Sequence, residues 1–321
     1  MVLFITGLCG RNCFYCPVSE RRRGKDAIYA NEREVQSDVD LLYEARSMDA
    51  LGTGITGGEP LMKLDRTLYY IELLKKTFGP AHHIHLYTSR APSMRVLGQL
   101  AQAGLDEIRF HPPIEMWDCF DHTPYYTALR NADALGLCAG VEIPAIKRIP
   151  AILKALAECN AFLNLNELEF SETNCEALKA RGFVPLESNY GAIGSREIAQ
   201  ELISNTTRGY FCPSTSKDGI QLRERLKRKA KRLARPFDEI TEDGTLVYAV
   251  IAPFSSAHFL RGVPSELYVL ENGTLQTSWL MALELVEKHP TLSVKASIVE
   301  TYPDGMLVES TPVGHCLKPK T

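Results

Sequence analysis

Excess charge of one sign is missing from this 321-residue chain: 36 Lys and Arg against 39 Asp and Glu leave a formal charge of -3. That excludes a chain-wide electrostatic pull towards nucleic acid or a membrane surface, so any such attraction has to be local. No apolar run approaches the roughly 20 residues that span a bilayer, and the opening MVLFITGLCGRNC has neither a basic leader nor a cleavable apolar stretch. Low-complexity tracts and internal repeats are absent as well. With 45% apolar and 23% charged residues, disorder is excluded as the main state. The expectation is a soluble, cytoplasmic protein without a membrane partner, built as one large domain or two. Nine cysteines, an odd number in a long chain, point to metal binding or free thiols before a disulfide framework.

Short apolar runs alternate with amphipathic ones over the first two thirds. Strands are expected at Val2 to Thr6, Leu51 to Thr56, Ile84 to Thr88, Glu107 to His111, Gly140 to Ala145 and Leu163 to Phe170. Helical periodicity lies between them, at Asn31 to Met48 with Asn31 and Glu34 as a capping box, Arg66 to Phe78, Pro92 to Ala103 and Tyr125 to Leu135. Gly79, Gly104 and Gly136 follow as stop signals. Strand, helix, strand at this spacing predicts an α/β fold with a parallel sheet. After Asn205 the pattern changes. Lys217 to Arg235 reads as a basic amphipathic helix, followed by strands at Thr245 to Ala252, Glu266 to Leu270, Thr274 to Trp279, Leu292 to Thr301 and Met306 to Ser310, with a helix at Leu280 to Lys288. The expected division is residues 1–205 and a smaller α+β domain over 206–321.

Cys9, Cys13 and Cys16 form C-x3-C-x2-C directly after the first strand. Three soft thiolates within eight residues can wrap one metal centre. In an iron-sulfur cube they leave one iron open for a small molecule. A zinc knuckle is the other reading, but zinc structural sites take four protein ligands and no fourth lies close downstream. The triplet is followed by Thr56-Gly57-Gly58-Glu59-Pro60 after the second strand, and this pair of motifs resembles the radical S-adenosylmethionine (radical SAM) superfamily, in particular the branch related to pyruvate formate-lyase activating enzymes.

That resemblance implies a partial (β/α)6 barrel over residues 1–205, with Cys9, Cys13 and Cys16 binding a [4Fe-4S] cluster whose open iron holds S-adenosylmethionine. Reduction would cleave the sulfonium to a 5′-deoxyadenosyl radical that abstracts a substrate hydrogen. Tyr15 matches the aromatic position near adenine. Gly57, Gly58, Glu59 and Pro60 match the strand end that receives the methionine amino group, for which a buried ammonium needs an acid. Tyr87, Thr88 and Ser89, at the end of the third strand, stand where relatives place a polar group on the ribose, or supply a turn hydroxyl that caps the next helix. Glu142, on a fifth strand lacking the family's usual glycine-rich pattern, could meet ribose or substrate, or be a solvated or salt-bridged glutamate. The overlapping G-x-G-x-x-G from Gly52 to Gly57 resembles a dinucleotide fingerprint, but no helix follows it directly.

For substrate, Asn166 and Glu169 are candidates, because the sixth strand is unusually polar for a parallel sheet, and so is His111, which ends the fourth strand. Their alternatives are a core histidine and a mutual hydrogen-bond network. Cys212 and Cys316 could converge as a second metal site, with buried thiols the default. The basic run could be a solvated face or could bind RNA phosphates, and it tilts the substrate towards an RNA nucleotide over a polypeptide or a small metabolite. An electron donor such as ferredoxin or flavodoxin is implied. The rival class is a zinc-dependent RNA-binding or scaffold protein without catalysis.

Overall fold

A computed structural model describes residues 1–255 and 257–313. Cys316, one half of the expected second metal pair, lies outside the described residues. The chain divides into two compact units, Met1–Arg46 with Ala50–Asp218, and Ser47–Asp49 with the chain from Gly219 onward.

The first unit holds strands β1 (Val2–Phe4), β2 (Tyr29–Ala30), β3 (Arg33–Glu34), β4 (Gly52–Thr56), β5 (His83–Thr88), β6 (Glu107–Phe110), β7 (Cys138–Pro144), β8 (Phe162–Asn166) and β9 (Gly209–Cys212). They form one sheet in the order β3-β2-β1-β4-β5-β6-β7-β8-β9. From β1 and β4 through β9 every neighbouring pair is parallel. The connecting helices are α1 (Asp38–Ser47), α2 (Leu64–Phe78), α3 (Met94–Ala103), α4 (Pro124–Ala134), α5 (Pro150–Glu158), α6 (Cys175–Lys179) and α7 (Ser195–Ser204), with a short turn α8 (Ser214–Ser216) after β9.

Local chemistry sets these boundaries. The Ser93 hydroxyl accepts from Val96 N at the start of α3, and Gly104, left-handed at φ 103°, ends it. Prolines open α4 and α5, where a missing N–H costs nothing. The strands alternate. Ile84 and Leu86, Ile108 and Phe110, Val141 and Ile143, and Leu163 and Leu165 are buried in one apolar core with Leu97, Leu100 and Ile152 of the helices. His85, Tyr87, Arg109, Glu142, Asn164 and Asn166 occupy the alternate positions, so the opposite face of the sheet is polar.

Three expectations need correction. Asn31 does not cap a helix: it sits at φ 53° between β2 and β3, where its side chain accepts from Val2 N at 2.9 Å and donates to Glu44 at 2.9 Å. The hairpin is fixed by that left-handed turn, and α1 starts only at Asp38. The sixth expected strand ends at Asn166, and the chain leaves the sheet before Phe170. A seventh parallel strand, β9, pairs with β8 beyond Asn205, where the first domain was expected to end. Its four residues are too short to show a period.

His85 carries a pH consequence. Gly54 makes room for it, since a Cβ there would stand 2.6 Å from the ring. Burial first, then the nearby Arg109 charge, pushes His85 down to about 3. The unfolded chain binds this proton below about pH 6.5. The stability is therefore present above that value and is lost as pH falls from there towards 3. His85→Gln should shrink the stability difference between pH 7 and pH 5 by ~2 kcal/mol, read from urea midpoints at both pH values. An unchanged difference would mean that His85 does not drive the acid sensitivity.

The second unit contains α9 (Arg223–Leu233), β10 (Glu239–Ile240), β11 (Leu246–Ile251), β12 (Tyr268–Glu271), β13 (Thr274–Thr277), α10 (Trp279–Lys288), β14 (Ala296–Thr301) and β15 (Leu307–Pro312). Its sheet runs β12-β13-β11-β14-β15, with β10 also on β11, and all pairs are antiparallel. Asn272 and Gly273, both at positive φ, make the turn between β12 and β13. Ala282, Leu285 and Val286 of α10 close the core over Ala249, Ile251 and Leu275. The strand expected from Leu292 starts at Ala296, because Pro290–Lys295 forms a 3-10 helix. The basic helix is likewise shorter than expected. Arg235 lies past its end, bonded to Asp238 at 2.8 Å and stacked over Phe237 and Tyr248.

Candidate active site

The cysteine loop leaves β1 and is tied down at several points. Cys16 N donates to Cys13 O at 3.0 Å, closing a turn, and Arg11 N donates to Cys9 Sγ at 3.4 Å. Asn174 Nδ2 donates to Tyr15 O at 3.1 Å, and Thr173 and Arg23 donate to Cys16 O at 3.3 and 3.0 Å. Buried Tyr15 packs with Leu168, Phe170, Leu178 and Ala192, a small core separate from that under the sheet. The segment after β8 thus braces the loop. All three cysteines are free thiols, Cys9 exposed and the others half-buried. They line a cavity of about 560 Å³ together with Gly57, Gly58, Pro60, Tyr87, Glu142 and Asn166.

Gly57 and Gly58 are required by close approach. Gly58 N donates to Thr6 O at 2.7 Å and Glu59 N to Leu8 O at 2.8 Å, so the end of β4 is laced to the start of the cysteine loop. A Cβ on Gly58 would stand 2.4 Å from Leu8 O, and one on Gly57 2.6 Å from Thr6 O. Glu59 is 1% exposed. Its Oε1 accepts from Leu61 N at 2.9 Å and Thr88 Oγ1 at 2.8 Å, and its Oε2 from Ser89 N and Ser89 Oγ, both at 2.6 Å. The carboxylate lies behind Thr88 and Ser89, which line the cavity. The Thr88 and Ser89 hydroxyls, expected on a ribose, are turned to Glu59, although both residues line the cavity.

The floor is a network across four strands. Glu142 accepts from Arg109 Nη1 at 2.8 Å, Asn164 Nδ2 at 3.2 Å and Asn166 Nδ2 at 2.9 Å. Arg109 also donates to the Tyr87 hydroxyl at 2.9 Å and to Glu107. A buried carboxylate stays charged only with such partners. His111 bonds through Nδ1 to Glu142 O at 2.7 Å and through Nε2 to the Tyr15 hydroxyl at 3.0 Å. Burial holds His111 below its ordinary value. The carbonyl can only accept, so Nδ1 carries the proton and the Tyr15 O–H donates to Nε2. Glu169 lines the cavity, and its carbonyl accepts from Asn174 at 2.9 Å. Next to it, Glu167 is buried, which raises its carboxyl, but bonds from Arg196 and Ser214 outweigh this and hold it below the usual range.

The structure therefore gathers Cys9, Cys13, Cys16, Tyr15, Gly57, Gly58, Pro60, Thr88, Ser89, His111, Glu142, Asn166 and Glu169 around one cavity. Arg109 was missed, and Tyr87, read with Thr88 and Ser89 as a ribose position, was not tied to Arg109. The signal was the alternation in HIHLYT and EIRF, which puts Tyr87 and Arg109 on the face opposite Leu86 and Ile108.

A family model described as "Radical SAM superfamily" matches residues 3–119, and one described as "Domain of unknown function (DUF8061)" matches residues 244–313. The Methanocaldococcus jannaschii protein named "Putative glycyl-radical enzyme activating enzyme MJ0021" is 43% identical over 266 residues, covering 78% of this chain and 70% of that one. The chain belongs to the radical SAM superfamily. Among solved structures, 3-hexulose-6-phosphate synthase from Salmonella typhimurium aligns with a TM-score of 0.37 at 15% identity, over 60% of this chain and 79% of its own. A mutant tryptophan synthase α-subunit from Pyrococcus furiosus aligns at 0.32 and 15% identity, over 60% and 89%.

Radical SAM enzymes use a [4Fe-4S] cluster and S-adenosylmethionine, and this radical SAM chain is an enzyme. The donor set fits the cluster: three soft thiols on one braced loop, all on the wall of one cavity, with a backbone N–H already on the Cys9 sulfur. Family membership sets aside the zinc scaffold reading. Among the described residues, no helix is long and apolar enough to cross a membrane.

Proposed function

We propose that this radical SAM enzyme acts on a polypeptide, generating a radical on a glycine of a partner enzyme. The name of the 43% identical relative, a putative glycyl-radical enzyme activating enzyme, carries this reading. When bound, the cluster and S-adenosylmethionine supply hydrogen-atom abstraction from a substrate carbon, through reductive cleavage of the sulfonium. Cys9, Cys13 and Cys16 hold the cluster. Gly57, Gly58 and Pro60 present a strand end to the ligand, with Glu59 fixing it against Thr88 and Ser89, and Tyr15 walls the adenine side. Glu142, Asn166 and Glu169 face the substrate from the floor, where Arg109 keeps Glu142 in place. The seven parallel strands make a partial barrel with its polar face inward, one strand more than the sequence indicated.

A cavity of about 560 Å³ takes a loop and excludes a folded domain, which suits a polypeptide that enters as an extended segment. The second unit recognises the substrate's remaining surface. The tilt towards RNA finds no support in the relatives. In the basic run, Arg235 is committed to Asp238 and two rings, while Arg228, Lys231 and Arg232 form an exposed face.

Anaerobic, reconstituted protein reduced with dithionite should cleave S-adenosylmethionine to methionine and 5′-deoxyadenosine. A glycyl-radical partner deuterated at glycine should pass its label into the 5′-deoxyadenosine. Cleavage without label transfer from any polypeptide would discard the substrate, and a fully loaded, reduced sample without cleavage would discard the chemistry.

A further inference from the structure

His111 lies on the cavity wall, yet the chemistry proposed above gives it no task. Pro112 and Pro113 follow it, which keeps its backbone out of the helical region just past the end of β6. Its backbone N–H donates to Thr88 O at 2.8 Å, so the position is tied to the end of β5. Both ring nitrogens are spent inside the protein. Nδ1–H donates to Glu142 O at 2.7 Å, and Nε2 accepts from the Tyr15 hydroxyl at 3.0 Å. An imidazole has two polar atoms, so neither is left to bond a substrate or to take up its proton. Tyr15 is held as firmly at its other end. Asn174 Nδ2 donates to its carbonyl at 3.1 Å, and its ring meets Phe14 edge-on at 5.0 Å and His111 at 5.7 Å between centres. Tyr15 is 7% exposed, a setting in which a hydroxyl needs an acceptor, and His111 supplies it.

We infer that His111 is a positioning residue: it fixes the Tyr15 ring in the wall of the S-adenosylmethionine site and does not itself touch substrate. This rests on Tyr15 walling the adenine side. Tyr15 stands between Cys13 and Cys16, so its ring direction and the set of the loop are linked. With the hydroxyl pinned at one end and the carbonyl at the other, the wall is in place before a ligand arrives. Without the pin, part of the binding free energy goes into ordering the ring. The same imidazole reaches the floor. The Glu142 carbonyl accepts from it, and the Glu142 carboxylate is the one held by Arg109, Asn164 and Asn166. One side chain thus ties the nucleoside wall to the substrate floor.

The test is a double-mutant cycle on anaerobically reconstituted, oxidised protein: wild type, His111→Leu, Tyr15→Phe and the pair, with His111→Gln and Tyr15→Ala beside them. The probes are radiolabelled S-adenosylmethionine and L-methionine, which lacks the nucleoside, each measured by equilibrium dialysis. His111→Leu and Tyr15→Phe should each weaken S-adenosylmethionine about tenfold, and the pair no more than either alone, because both remove the same bond. Methionine affinity and iron content should match wild type. His111→Gln, whose amide oxygen can accept from Tyr15, should recover most of the loss, which a space-filling role would not give. Additive losses in the pair, unchanged affinity in His111→Leu, or a Gln variant as weak as Leu overturns the positioning role. Should His111→Leu fail to load iron, wild-type affinity in Tyr15→Phe overturns it as well. Tyr15→Ala removes the ring itself and should weaken S-adenosylmethionine while sparing methionine. If it does not, the adenine-side reading of Tyr15 falls and the inference with it, whereas the earlier outcomes strike His111 alone.

Discussion

Replacing Cys9, Cys13 and Cys16 together with Ala is expected to take reconstituted protein from about four irons per chain to almost none. The broad visible absorption should vanish with them. The fold should survive, because the loop is held by contacts that do not involve the sulfurs: the Asn174 bond to Tyr15 O, the Arg23 and Thr173 bonds to Cys16 O, and the packing of Tyr15 on Leu168, Phe170 and Leu178. Far-UV circular dichroism and the urea midpoint should therefore stay close to those of the metal-free wild type. Retention of about four irons would place the cluster on other thiols. The other thiols among the described residues are those of Cys119, Cys138, Cys159, Cys175 and Cys212. A collapse of the fold would mean that the sulfurs themselves hold the loop.

The site was legible where chemistry needs particular residue types at close spacing. Three cysteines within eight residues and the Gly57 to Pro60 strand end are local features, and the structure brings both to one cavity wall. Parallel-strand positions were legible too, because Ile84, Leu86, Ile108 and Val141 must be buried in each strand. The relation between distant polar residues was not. Nothing in the sequence says that Asn31 reaches Glu44, or that Arg109, on a strand read mainly for His111, would hold Glu142. Those pairings follow from strand register, which sets Arg109 beside both Tyr87 and Gly140, and register is a tertiary outcome. Strand β9 was missed for a related reason: it gains its place by pairing with β8 and carries little signal of its own.

Substitution of Glu59 should have a large effect on stability as well as on binding. The resemblance assigns its carboxylate to a ligand's amino group. The structure instead spends both oxygens on four donors from Leu61, Thr88 and Ser89, binding the end of β4 to the end of β5 behind the cavity wall. Glu59→Ala leaves the buried Leu61 N–H and Thr88 hydroxyl and the two part-buried Ser89 donors without their acceptor, at about 1–3 kcal/mol for each one that water cannot reach. A total loss of at least ~3 kcal/mol is expected, because the site is buried and the four bonds act as one unit. Glu59→Gln keeps an oxygen for one pair of donors but turns an amide N–H2 towards the other, so its loss should be intermediate. If Glu59 acts by positioning, S-adenosylmethionine affinity should fall in the same order as stability, wild type above Gln above Ala, with iron content retained in both variants. Equilibrium binding measured beside urea denaturation separates the two roles. A Gln variant that keeps wild-type stability yet loses affinity outright would return the carboxylate to direct contact with the ligand.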